Sequence, residues 1–193
     1  MKNIIILFLF LVATTNVISQ ESKGIRFRYG STFMGEYDNQ PLSKTYKSKD
    51  GMEFMLESFY RPNKKIEVAS GIGYQEHGKL KDGGSKTFYS IPLYVSFKYN
   101  IFSSPLYTKF IGGFSLNKNE FEYIDSTYKT NHGYYAGAGL GIEFWNIELE
   151  GIYSLTSISF HSKSSDENTV TYDNTKDIIH SRVSLNIAYK FKF

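Results

Sequence analysis

The sequence contains no cysteine. That excludes a disulfide framework, a thiolate metal site and a cysteine nucleophile. It also removes the lipidated cysteine that holds a bacterial lipoprotein to its membrane. Histidine occurs four times, at His77, His132, His161 and His180, with no HExxH pattern and no close pair along the chain, so a zinc site is not expected. Net charge is only +3 and the basic residues are scattered, which argues against nucleic-acid binding. Mean hydropathy is −0.33, too low for a bundle of membrane helices. No stretch after residue 20 keeps a 3.6-residue apolar period. Aromatic residues are abundant: sixteen Tyr and sixteen Phe among 193 residues, beside a single Trp. The length suits one domain.

Residues 1–19 read as a secretory signal peptide. Lys2 supplies the positive start, and Ile4 to Ala13 form an apolar run of about ten residues. A transmembrane helix needs about twenty. Val17 and Ser19 are small enough for the −3 and −1 positions, which places cleavage before Gln20.

Over residues 20–193 the chain alternates with a period of two, in eight segments. They run over 25–34, 52–61, 66–75, 89–99, 106–116, 134–144, 147–155 and 179–193. In the last, Ile179, Val183, Leu185, Ile187, Tyr189, Phe191 and Phe193 share a face, and Arg182, Asn186, Lys190 and Lys192 share the other. The first sets Ile25, Phe27, Tyr29 and Phe33 against Arg26, Arg28, Thr32 and Met34. Connections alternate in length. Those at 62–65, 100–104 and 145–146 are tight, whereas 38–50, 77–86, 117–132 and 161–177 read as long polar loops. Short turns at one end and long loops at the other are the pattern of outer-membrane barrels.

No charged residue falls in the middle of an apolar face, where it would cost about 2–4 kcal/mol against lipid. The opposite faces carry near-balanced charge, including Glu36, Glu53, Glu67 and Glu148. Eight strands enclose a space just wide enough for side chains. The expected interior is therefore a plugged charge network containing Arg28, Glu57, Lys109, Glu143, Glu150 and Arg182. Aromatics including Phe27, Tyr60, Tyr99, Tyr107, Phe144 and Trp145 are expected to form a girdle at the short-turn end. Pro92 is awkward, because it lacks an N–H for a closed sheet. The predicted fold is all-β: an eight-stranded antiparallel up-and-down transmembrane β-barrel, preceded by the cleavable signal peptide.

The segments IEVASGIGYQEHGKL (66–80), YSIPLYVSFKY (89–99) and IELEGIYSLTSI (147–158) resemble, in order and spacing, the Bacteroidota outer-membrane β-barrel family called PorT-like. The terminal LNIAYKFKF (185–193) resembles the signal read by the barrel-insertion machinery, carried by Tyr189, Phe191 and Phe193. The resemblance implies an eight-stranded barrel in the cell outer membrane and tolerates Pro92. It implies little about activity, because fold does not carry function.

No catalytic, cofactor or metal residues are expected. The glycine-rich GAGLG stretch (137–141) lies inside a strand, without the helix that a phosphate-binding loop needs. His161–Ser162 has no acid or oxyanion donor that can be placed beside it. Lys44, Lys47, Lys79 and Lys81 are candidate contacts to lipopolysaccharide phosphates, although interleaved acids make solvated loop charge the simpler account. The expected partners are outer-membrane lipid, lipopolysaccharide, the insertion machinery and a protein partner of unknown identity. The expected role is structural, anchoring or surface-interacting, accessory to a larger envelope or secretion complex. Two competing readings are a secreted lipocalin-like binder with its apolar face inward, and an outer-membrane lipid-modifying enzyme.

Overall fold

The fold is taken from a computed structural model, which describes residues 22–39, 44–48, 51–77, 88–101, 104–118, 120–123, 126–166 and 169–193. Within these, side chains are described except at 37–39, 44–48, 88, 118, 120–123, 126–131, 158–166 and 169–178. Residues 1–19, expected to be a signal peptide, lie outside the described residues, as do Lys79 and Lys81.

Eleven strand segments appear in chain order: β1 Lys23–Asn39, β2 Lys44–Ser48, β3 Met52–Tyr60, β4 Ile66–His77, β5 Phe88–Asn100, β6 Leu106–Lys118, β7 Glu120–Tyr123, β8 Ser126–Asn131, β9 Gly133–Phe144, β10 Ile147–Asp166 and β11 Thr169–Lys192. β2 continues into β3, β6 into β7 and β8 into β9, so the segments form eight antiparallel barrel strands. The pairing runs β1–β3–β4–β5–β6–β9–β10–β11 and closes through β11–β1. Closure matters in lipid, where an open edge has no water to pair its backbone groups.

Alternation places the apolar set outward. Phe54, Leu56, Val95, Phe110, Leu140, Leu185 and Ile187 are exposed, whereas Arg26, Glu57, Lys98, Lys109, Glu148 and Lys190 are buried inside. A lipocalin-like molecule has the reverse arrangement, so the reading with an apolar interior is corrected.

The three tight turns sit at one end. Asn63 Oδ1 accepts the Lys65 and Ile66 N–H groups, each at 2.9 Å, and Ser104 Oγ donates to the Ile101 carbonyl at 2.6 Å. Trp145, with φ 55°, makes the β9–β10 corner. Pro92 sits where the β4–β5 ladder is interrupted: pairing is continuous up to Ile72↔Leu93 and resumes at Gln75↔Ser90. Its missing N–H thus leaves no break in an otherwise regular ladder.

Three expectations change. Thr32 pairs with Ser184 and Met34 with Val183, so Phe33 is an extra residue in a β-bulge. Met34, expected inside, is 64% exposed, and Glu36, expected among the interior acids, also lies on the outer face. The long polar loops are in part continued strand. β10 and β11 pair out to Asp166↔Thr169, β7 pairs with β8, and β2 pairs with β1. Those stretches are mostly polar, and only short runs such as EFEY in β7 and TVTY in β11 keep an apolar alternation.

Candidate functional site

The candidate site is the barrel lumen. Because strand parity sends every second side chain inward, register decides which charges meet. Nearest the short turns, Arg61 bonds Glu67 at 2.8 Å and Glu143 at 2.6 Å. Lys98 contacts Glu143 at 2.5 Å and also Glu148. Lys190 reaches Glu67, Glu143 and Glu148 at 2.8, 3.1 and 2.6 Å. Arg26 bridges this layer to the next: it binds Glu67 and Glu57 and lies 2.9 Å from Glu148. One layer further in, Arg28 binds Glu57 and sits 2.9 Å from Glu150, while Lys109 lies 3.1 Å from Glu57 and 3.2 Å from Glu150. The Tyr94 and Tyr107 hydroxyls donate to Glu57 and Glu150, both at 2.8 Å. Buried ions persist when paired and hydrogen-bonded in this way.

Two inward glycines make room for those phenols. A Cβ at Gly71 would lie 2.6 Å from the Tyr94 ring, and one at Gly141 would overlap the Tyr107 ring. Glycine at these positions is thus a packing requirement.

Beyond the ionic layers lies an apolar septum: Met55, Tyr94, Ile111, Tyr135 and Ile152 form one buried cluster across the lumen. Past it, toward the long-loop end, the lumen is polar. Arg182 pairs with Glu53, which also accepts Gln75 Nε2 at 2.9 Å and Ser184 Oγ at 3.2 Å. Ser90 Oγ donates to Gln75 at 3.2 Å and lies 2.6 Å from His77 Nε2. His77 and His180 meet edge to face, with ring centroids 4.4 Å apart. These two histidines, 103 positions apart by their numbers, are thus brought together inside the barrel, and His77, expected to begin the long polar loop 77–86, is instead buried at the end of β4.

The six residues singled out from the sequence fall in three layers. Arg28, Glu57, Lys109 and Glu150 form one cluster, Glu143 lies nearer the turns, and Arg182 lies beyond the septum. Parity also marked Arg26, Glu53, Glu67, Lys98, Glu148 and Lys190 as inward, and they carry as many contacts. Tyr107 is 1% exposed and belongs to the interior, which corrects its place in the aromatic girdle. Tyr189, Phe191 and Phe193 are exposed at the short-turn rim, beside Phe144 and Trp145. Lys44 and Lys47 lie on β2, and His161 and Ser162 on β10, where side chains are not described.

Glu67, Glu143 and Glu148 bring carboxylate oxygens within 4.8 Å of one another, a spacing that a metal ion can use. Arg26, Arg61, Lys98 and Lys190 already neutralise them. A cation entering here would have to displace those four, so the donor set suits ion pairing and not a metal.

No protein-family model matches the chain, and neither does any curated protein. Solved structures do. Neisserial surface protein A aligns with a TM-score of 0.57 at 16% identity, covering 89% of this chain and 100% of that one. Ail, the attachment invasion locus protein of Yersinia pestis, aligns at 0.53 and 12%, covering 90% and 100%. The outer-membrane protein OprG of Pseudomonas aeruginosa aligns at 0.50 and 11%, covering 89% and 96%. At such identities the likeness is one of fold. The chain is an outer-membrane-type β-barrel.

Proposed function

We propose that this barrel is a sealed integral protein of the outer membrane with a structural, anchoring or surface-interaction role, accessory to a larger envelope or secretion complex. One observation carries the reading: the charged side chains are buried and cross-paired inside while the large apolar ones are exposed outside. Such a molecule needs lipid around it and offers no continuous water path through it.

It acts without covalent chemistry in this reading, which is supported by the engagement of the buried carboxylates among the described residues by cations and phenols. Function therefore resides at the surfaces. The terminal Tyr189, Phe191 and Phe193 serve recognition by the insertion machinery, and Lys44, Lys47, Lys79 and Lys81 meet lipopolysaccharide at the long-loop end. Membership of the PorT-like Bacteroidota family is supported by the three sequence segments 66–80, 89–99 and 147–158 alone.

Three experiments test the proposal. The protein fractionates with sarkosyl-resistant outer membrane and migrates heat-modifiably on gels; recovery as a soluble periplasmic protein refutes it. In a planar bilayer it shows negligible conductance, and steady porin-like channels refute the sealed lumen. Replacing His161 and Ser162 leaves the lipid A profile unaltered, whereas a changed profile restores the enzyme reading.

A further inference from the structure

Over the neighbouring strands β11, β1, β3 and β4 an apolar groove of about 560 Å³ opens to the lipid side, lined by Phe27, Tyr29, Leu56, Ile72, Tyr74 and Ile187 among others. The same four strands carry the basic residues of the short-turn rim. Lys23 begins β1, and Lys64 and Lys65 sit in the β3–β4 turn, all three exposed, whereas Lys192 at the end of β11 donates to the Trp145 carbonyl on the β10 side. Among the described residues no exposed Asp or Glu side chain accompanies them: at this end Glu67, Glu143 and Glu148 are ion-paired inside the barrel. Between rim and groove the outer face holds two hydroxyls, Ser58 and Ser70, directly paired across β3 and β4.

The order along the wall is thus positive charge, hydroxyl pair, apolar groove. From Lys23 to Phe27 is four residues, roughly 13 Å along the strand. At a strand tilt of about 40° this is on the order of 10 Å of membrane depth. That is the distance from a lipid phosphate, past the glycerol esters, to the upper acyl chain. Phe193, whose N–H bonds the Lys23 carbonyl, and Trp145 at the β9–β10 corner are exposed aromatics at the level of this rim and mark the interface there.

From this we infer that the β11–β1–β3–β4 wall is a binding site for one anionic phospholipid of the leaflet at the short-turn end. Its phosphate sits on Lys23, Lys64 and Lys65, its ester region lies against Ser58 and Ser70, and an acyl chain lies in the groove. The site rests on the membrane-spanning reading above, and heat-modifiable migration of every variant reports on that reading separately.

The test is native mass spectrometry of the purified barrel after equilibration in micelles with equal amounts of phosphatidylglycerol and phosphatidylcholine of matched chains. The native protein retains one phospholipid, with a preference of about tenfold for phosphatidylglycerol, as several lysines near a headgroup give. The K23Q/K64Q/K65Q variant still binds lipid but loses the preference. I72W, which fills the groove, loses retention of both lipids, whereas L140W on the opposite wall changes nothing. Equal retention of the two lipids by the native protein overturns the inference, as does unaltered retention by I72W. Copurification with lipopolysaccharide in place of phospholipid overturns it as well. So does an acidic polypeptide such as polyglutamate, bound at the rim and not displaced by phosphatidylglycerol, which would assign the lysines to a protein partner.

Discussion

Glu57 is the most heavily engaged carboxylate in the lumen: Arg26, Arg28, Lys109 and Tyr94 converge on it. Glu57→Gln leaves three cations facing one another without their shared anion. Removing one partner of a buried ion network costs about 3–5 kcal/mol. Urea unfolding of the refolded barrel in lipid vesicles is expected to show that loss, whereas Glu36→Gln on the outer face stays within about 0.5 kcal/mol. A loss below about 1 kcal/mol for Glu57→Gln would show that water has replaced the missing carboxylate. Gly141→Val is expected to cost about 1–3 kcal/mol, because the added side chain forces the Tyr107 ring off Glu150. Parity made the inward identity of Glu57 legible in the sequence. Its partners were not legible, because Arg26, Arg28 and Lys109 lie 31, 29 and 52 positions away and meet it only once register and closure are set.

β1 shows how one residue changes what a strand displays. The bulge at Phe33 puts two successive side chains outward and restores the inward role only at Gly35. Nothing in the local composition announces it, since Phe33 and Met34 both suit either face. Deleting Phe33 removes the bulge and keeps every other side chain on its present face, so that variant is expected to fold and migrate heat-modifiably. Deleting Val95 from the middle of β5 inverts the faces on one side of the gap and is expected to abolish folding. The outer halves of β10 and β11 were hidden for a different reason. Their period-2 signal needs one apolar face, and beyond the membrane both faces are wet. Pairing such as Phe160↔Lys176 and Ser159↔Asp177 predicts slow hydrogen exchange for these amides. Exchange at the rate of an unstructured peptide would contradict the extended hairpin.

The whole barrel is sealed twice, by ionic layers near the turns and by the septum of Met55, Tyr94, Ile111, Tyr135 and Ile152. Balanced inward charge made the first seal legible. The septum was not, since its five residues come from five different strands and share only a height in the closed cylinder. Two seals mean that opening one is not enough: the M55A/I152A variant is expected to remain non-conducting in a planar bilayer, and current through it would show that the charged layers leak. Trp145 has a consequence of another kind. It is the single tryptophan of the chain, 91% exposed at the β9–β10 corner, with Lys192 Nζ held 3.1 Å from its carbonyl oxygen. All indole emission of this protein thus comes from one known depth. Its quenching by brominated lipid measures directly how deep the short-turn rim is immersed, and its emission shift during refolding times the arrival of that rim at the interface.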